Sequence, residues 1–477
     1  MEESVFYIAE GVPSDKQNAA SFGIVASSKS SKQHAQFRQC YSNKAGFALT
    51  GTGFGHRLFT SCKDKALVHV YVWGKESPEQ KMPVPEELKA LDVCLKDGKP
   101  WLLAGGGKSG RIYLWEINSG LLLLAKDAHY QSATNLKFSS DGTFLVSGGA
   151  DSRILVWKTL DLLSGCIGGA DDFSVKPHCV FSDHSLPISD VFLTQGLVDD
   201  IKLFSASTDA TVRCYNLQSK TLLTTFVAPW PVTSITIDPA QRCFYAGSAE
   251  GSIRQIRLYQ ANAEGILAAV GGAGRIVTLT PDHELRETFT HHAGAEVTCL
   301  DLSIDGMSLV SGDVTGKAFV SDIVTKQVVR RLKPLNSAIT GVKLSVVNYE
   351  KLDKDSRLNA DVKQLKALPA LKRSLVEERD VTEKHDIWVK IEGPSSKQQT
   401  FDLETFLEKT RQQQQRFVNW GMVNSTVVQS QPELVTVEND SKRVQELEAQ
   451  LRTVTENYND LRDMHQSLLE QHKQTLK

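Results

Sequence analysis

Residues 104–116 read AGGGKSGRIYLWE, and glycines followed by Lys108 and Ser109 are the residue types of a phosphate cradle. Such a loop wraps phosphates in backbone N–H groups and runs into a helix, whose N-terminal partial charge adds to the attraction. The spacing it needs is Gly-x-x-x-x-Gly-Lys-Ser/Thr. With Gly107, Lys108 and Ser109 fixed, the first glycine falls at position 102, which is Leu102. The segment after the turn is also wrong for the chemistry. Arg111, Tyr113 and Trp115 alternate with Ile112 and Leu114, the period of a strand and not of a helix. A second cluster, His291-His292-x-x-x-Glu296, has residue types suited to metal or general-base work. It precedes a strand, and His292 has the spacing of a structural histidine of the repeats. No catalytic, cofactor-binding or metal-ligating residue is assigned, and the chain reads as a non-enzyme.

The elements that hold these residues repeat. LLAGGGKSGRIYLWEI (102–117) is followed by LVSGGADSRILVWKT (145–159), LFSASTDATVRCYNL (203–217), FYAGSAEGSIRQIRL (244–258) and LVSGDVTGKAFVSDI (309–323), with a weaker copy, LFTSCKDKALVHVYV, at 58–72. Each is strand, polar turn, strand. Trp115 to Trp157 is 42 residues and Tyr215 to Ile256 is 41, a period that belongs to WD-type propeller blades. In such a blade a histidine, a serine, a turn aspartate and a tryptophan form one hydrogen-bonded chain. His129, Ser147, Asp151 and Trp157 make a complete set; His184, Ser205 and Asp209 make another, with Tyr215 in the tryptophan place. Elsewhere the set decays, with Ser109, Glu250 and Thr315 at the turn and Ile256 and Ser321 at the tryptophan position. About six units end near Ile323, the first weak one near Val5–Ser27. A seventh is expected from 338–347 and HDIWVKIEG (385–393). The expectation is an all-β, seven-bladed WD-type β-propeller with insertions at 164–176, 259–290 and 349–384, and a C-terminal α-helical coiled-coil segment.

Composition sets the class. The 477 residues carry net charge −2 and 41% apolar content, which suits a globular protein without an overall electrostatic preference. The longest apolar run, near Leu121–Ala125, is far too short to cross a bilayer, and MEESVFYIAEG has acids where a signal peptide has bases. The eight cysteines are scattered without a Cys-x-x-Cys pair, so an intracellular chain without zinc or disulfides is expected.

Two regions outside the repeats are candidates for contact. Lys351, Lys354, Arg357, Lys363, Lys366, Lys372 and Arg373 stand against three aspartates over 351–373, an excess that suits RNA or an acidic protein face, or simply a solvated helix. From residue 441 onward, Val444, Leu447, Leu451, Val454, Tyr458, Leu461, His465 and Leu468 alternate spacings of three and four, a heptad seam. An isolated helix of this length is marginal in water. Self-pairing into a homodimer is one way to cover it; a partner's helix and folding back on the propeller are the others. The resulting division is blades over 1–348, a basic insertion over 349–384 within the last blade, a propeller-closing strand over 385–393, a linker with a short amphipathic helix over 394–440, and the coiled-coil dimerisation helix over 441–477.

AHYQS (128–132), GRIYLWEINSG (110–120), DATVRCYNL (209–217), AGSAEGSI (246–253), HDIWVKI (385–391) and LRDMH (461–465) resemble the fungal WD-repeat proteins involved in processing of internal transcribed spacer 2. The resemblance implies a non-catalytic subunit of a nuclear complex, nucleolar and nucleoplasmic, that matures precursors of the large ribosomal subunit. It implies as partners the other subunits of that complex, a midasin-type AAA ATPase and the pre-ribosomal particle, with no membrane. A role in replication licensing is attached to the same family, and a chromatin adaptor is an alternative. A ubiquitin-ligase receptor fits less well. Such receptors carry Trp-Asp-x-Arg, where this chain has Trp115-Glu116-Ile117-Asn118 and Trp157-Lys158-Thr159-Leu160.

Overall fold

Short runs rich in valine, isoleucine and aromatics, broken every few residues by Gly, Asp or Ser turns, can bury themselves only by pairing into small sheets that stack. In the computed structural model they form, among the described residues, seven blade sheets of four or five strands around a central channel. The structure describes residues 2–11, 22–51, 56–96, 99–167, 175–196, 200–261, 267–279, 288–292, 294–347, 367–375 and 411. Blades 2 to 7 run in chain order over 47–83, 88–127, 133–181, 188–227, 232–289 and 297–331.

Blade 1 is assembled from both ends of the ring. Its innermost strand, Ile339–Val347, pairs antiparallel with Glu2–Ala9, which leads to Phe22–Ser27 and Gln33–Arg38. Val5 faces Leu344 and Tyr7 faces Val342 across this seam. The expectation of a separate seventh unit from 338–347 is thus corrected: the count to Ile323 is already seven, and the N-terminal unit lacked only its inner strand. All four strands of this blade precede residue 348. The expected closing strand over 385–393 lies outside the described residues.

The packing confirms the ring. Among the described residues there are seven hydrophobic clusters, and each sits at one junction between neighbouring blades. Phe6, Ile8 and Phe37 meet Leu58 and Tyr71 between blades 1 and 2, while Val5 and Tyr7 meet Val310 and Val320 between blades 7 and 1. Each large side chain so buried contributes roughly 1.5–3 kcal/mol. Around the channel, polar side chains tie each inner strand to the next. Asp92 accepts the Phe138 N–H at 2.6 Å, Asp190 that of Ile235 at 3.0 Å and Asp301 that of Leu344 at 2.6 Å. Thr134 donates to the Ile188 carbonyl at 3.2 Å and Ser189 to that of Val232 at 2.7 Å.

Two insertions take structure of their own. The one expected over 164–176 begins as the helix Thr159–Ile167 inside blade 4, ahead of its outer strand Cys179–Phe181. That after Tyr259 forms the hairpin Tyr259–Ala261 with Leu267–Ala269. It then lays Arg275–Thr278 parallel to Thr221–Val227, a fifth strand on blade 5, before returning as Thr288–Phe289 of blade 6. No described helix is long and apolar enough to cross a membrane.

Closure through Ile339–Val347 predicts that truncation after residue 377 leaves a single cooperative thermal transition, whereas deletion of residues 1–9 abolishes it. Loss of the transition in the 377 truncation would show that a later segment completes the ring.

Candidate functional site: blade networks and the strapped rim

The residues singled out for chemistry lie mostly at the ends of blade strands, where a loop from one blade meets the turn of the next. In blade 4, His129 Nδ1 lies 2.9 Å from Asp151 Oδ1, His129 Nε2 lies 2.9 Å from Ser147 Oγ, and the Trp157 indole N–H reaches Ser147 Oγ at 3.4 Å. An ionised carboxylate only accepts, so Nδ1 carries the proton and Nε2 accepts from the serine hydroxyl. The chain therefore runs one way, from indole to hydroxyl to imidazole to carboxylate, with every buried member satisfied. Burial pushes the His129 pKa down against the pull of Asp151, which keeps the ring neutral.

Blade 5 repeats the first three members. His184 contacts Asp209 at 3.0 Å and Ser205 at 2.8 Å. Burial raises the Asp209 carboxyl, but bonds from His184 and Thr211 outweigh it and hold the acid well below the usual carboxylate range. Tyr215, in the tryptophan place, is fully buried, and its ring stacks on Phe181 with centroids 4.1 Å apart.

Blade 7 holds a third network that fixed spacing misses. His292 Nδ1 meets Asp313 Oδ2 at 2.9 Å, and Nε2 meets Ser311 Oγ at 2.8 Å. Asp313 lies two residues after the serine, where Asp151 and Asp209 lie four after theirs, so Thr315 at the expected position is a supporter that donates to Asp313 at 2.7 Å. The geometry explains the exchange. A Cβ placed on Gly149, the equivalent position in blade 4, would stand 2.3 Å from Asp151 Oδ1 and 2.4 Å from His129 Nδ1. An aspartate there delivers its carboxylate to the same point. The His-His-x-x-x-Glu pattern is thereby accounted for as a blade histidine, and the described residues contain no cluster able to hold a metal.

The GGGKSG turn belongs to blade 3, whose network is inverted. Glu86, on the loop from blade 2, accepts from Ser109 N at 3.0 Å, Ser109 Oγ at 2.6 Å and Tyr113 OH at 3.0 Å. Lys108 pairs with Glu87 at 3.5 Å. A backbone N–H held by one carboxylate beside a second carboxylate does not cradle phosphate. Gly110 is required here for close approach: its φ is +91°, and a Cβ would sit 2.2 Å from the His129 carbonyl of the next loop.

Blade 3 has no serine for its tryptophan, because Gly105 takes that place with a Cβ position only 2.9 Å from the Trp115 ring. The indole N–H instead donates to the Lys372 carbonyl at 2.9 Å. This bond belongs to a strap, residues 367–375, across the rim of blades 2 and 3. Gln80 clasps the strap at both backbone groups of Leu368, donating at 2.7 Å and accepting at 3.2 Å. The Lys372 N–H donates to the Gly120 carbonyl at 2.8 Å, and Leu371 is buried in the blade 2–3 cluster. Of the seven cations expected at a contact surface, Lys372 and Arg373 are on this strap with exposed side chains. Lys351, Lys354, Arg357, Lys363 and Lys366 lie outside the described residues, as does the whole seam from Val444 to Leu468. The strap is the site that sequence reasoning misses. Its signal is the apolar run Ala367–Leu371 inside a charged stretch.

The central channel has a volume of about 340 Å³ and sets Lys44, Lys137 and Lys343 against Asp92, Asp190 and Asp301.

The networks of blades 4 and 7 fall in segments that match a known repeat: the model of the WD domain, G-beta repeat, covers residues 122–158 and 283–320. The chain is 39% identical to the Pre-rRNA-processing protein IPI3 of Scheffersomyces stipitis over 528 aligned positions, covering 100% of this chain and 99% of the relative. The protein of the same name from Candida albicans is also 39% identical, with 100% and 99% covered. That from Saccharomyces cerevisiae is 30% identical, with 95% and 97% covered.

Two outcomes are expected. Asp313→Ala strands the His292 ring N–H and costs about 1–3 kcal/mol, more than Thr315→Ala; a larger loss at Thr315 in urea melts would contradict the assignment. Burial holds the His69 pKa down at about 4, with Lys81 adding to the effect. The unfolded ring takes its proton near pH 6.5, so this contribution to stability is complete above pH 6.5 and is lost as pH falls toward 4. His69→Asn should flatten the urea midpoint across that window, and an unchanged slope would refute the account.

Proposed function

The chain belongs to the family of fungal pre-rRNA-processing proteins named IPI3, and from that premise we propose that it is a non-catalytic platform in the complex that matures the large ribosomal subunit and removes internal transcribed spacer 2. The observation that carries this reading is similarity over the whole chain, tail and insertions included, and not over the blades alone. The three blade histidines His129, His184 and His292 are locked into structural networks, which supports a propeller that offers surfaces. Its place of work is the nucleus, in the nucleolus and nucleoplasm where pre-rRNA is handled. Its partners are the other subunits of the maturation complex, a midasin-type AAA ATPase and the precursor particle.

Within that reading, the heptads over 441–477 pair two copies into a homodimer, since a leucine-bearing helix of this kind gains its stability by covering the seam. The basic insertion, which includes Lys372 and Arg373, makes weak, salt-sensitive contact with RNA or an acidic neighbour. The strap fixes the part of that insertion over 367–375 to the rim of blades 2 and 3. Four phosphate contacts of this type give non-specific affinities of only ~10⁻⁴–10⁻⁶ M, enough to help docking and too little to read a sequence.

Depleting the protein should cause precursors that retain the spacer to accumulate on northern blots, with rescue by the full chain; an unaltered precursor profile would contradict the assignment. Deleting residues 441–477 should halve the mass in light scattering while the ring's thermal transition persists. An unchanged mass would remove the seam as the dimer contact.

A further inference from the structure

The outer edge of blade 7 carries a concentration of positive charge separate from the insertion. From Ile323 to Ile339 the chain holds Lys326, Arg330, Arg331 and Lys333 and no acid. The strand Val328–Arg331 is the outermost of its sheet, and Arg330, Arg331 and Lys333 are exposed. Successive strand residues point to opposite faces, so the two arginines diverge. Arg331 faces a cleft of about 410 Å³ between the rims of blades 6 and 7, lined also by Lys317, Phe319 and His291. The buried His291 Nε2 in that cleft has no hydrogen-bond partner among the described residues. Arg330 turns the other way, and its Nε donates to the Lys29 carbonyl at 2.9 Å, which joins the blade 7 edge to the blade 1 turn bearing the exposed Lys29 and Lys32. No ion pair to Arg330, Arg331, Lys333, Lys317, Lys29 or Lys32 occurs among the described residues.

We infer that this stripe, from the His291–Lys317 cleft across Arg331 and Arg330 to Lys29 and Lys32, is a docking track for the phosphate backbone of single-stranded RNA. The inference rests on the pre-rRNA reading and names the surface that meets the nucleic acid. Three features favour an RNA strand over a single phosphorylated side chain. The cations extend across two blades, more than one phosphate can engage. Two of them are arginines, whose planar fork matches phosphate oxygens. The stripe begins at a cleft walled by Phe319 and an imidazole, flat surfaces of the kind on which an unstacked base rests. Burial and the neighbouring His292 hold the His291 pKa below its ordinary value.

The test is fluorescence anisotropy of the full chain with a labelled single-stranded RNA of mixed sequence, titrated at several salt concentrations. Each phosphate neutralised contributes about −0.7 to the slope of log affinity against log salt. The variant Arg330→Gln/Arg331→Gln/Lys333→Gln is expected to bind at least tenfold more weakly at low salt, with the slope reduced by about two and a single cooperative thermal transition retained. Arg331→Lys, which keeps the charge, is expected to retain most of the affinity. Lys372→Gln/Arg373→Gln serves as the other arm. If it abolishes binding while the blade 7 variant binds as the wild type does, the track is refuted and RNA contact belongs to the insertion. Binding of a phosphoserine peptide with no measurable RNA affinity would also overturn the inference. Spacer-containing precursors would accumulate on depletion in either case, so failure of this surface is distinguishable from failure of the family reading.

Discussion

Everything in the ring depends on one pairing between segments 330 to 345 residues apart. Glu2–Ala9 is held between Phe22–Ser27 and Ile339–Val347, and without Ile339–Val347 the first blade has no inner strand. An open arc would expose the apolar faces of blades 1 and 7, including Val5, Tyr7, Val310 and Val320. Closing it covers both faces at once. Blade stability is a sum of nearest-neighbour terms in a linear stack, but in a ring each wedge has two neighbours only if the last junction forms. The long-range seam is thus a condition for the other six junctions, and it explains why an N-terminal segment with little repeat character is buried from Ser4 to Ala9.

Closure leaves the blade networks free to vary. Blade 4 carries the full chain from Trp157 to Asp151, blade 5 pairs His184 with Ser205 and Asp209 beside a tyrosine, blade 7 brings its carboxylate from Asp313, and blade 3 reverses the roles with Glu86 and Ser109. In blades 4, 5 and 7 a buried histidine donor on the loop finds a carboxylate on the facing strand or turn, because an unpaired group there costs more than the bond contributes. Where the requirement is lifted, the residue takes another task. Trp115, with glycine in place of the serine, is the anchor of the strap. The scaffold and its candidate contact surface are therefore linked through one indole.

The middle blades are legible in the sequence because strand, Gly/Asp turn and aromatic strand recur at a nearly constant period. Legibility falls where geometry outranks spacing. Spacing favours Thr315 over Asp313, since counting from the serine cannot show that two routes bring a carboxylate to the same imidazole. The first blade is legible only in part, near Val5–Ser27, because its inner strand is far away in the chain and no local pattern announces a partner at that distance. The strap is hidden by its own neighbourhood: Leu368 and Leu371 lie in a stretch whose charges draw attention to solvent contact and away from packing. The family relationship is legible from the joint presence of blades, insertions and tail, since any single blade is common to many unrelated proteins.

A platform is defined by what it holds. The most direct measurement is therefore purification of the tagged protein from its own cells at moderate salt, with identification of the RNA and proteins that accompany it. The account predicts large-subunit rRNA precursors that still carry the spacer, together with a small set of complex subunits and an AAA ATPase of the midasin type. Recovery of histones or cullin adaptors without ribosomal precursors would contradict it.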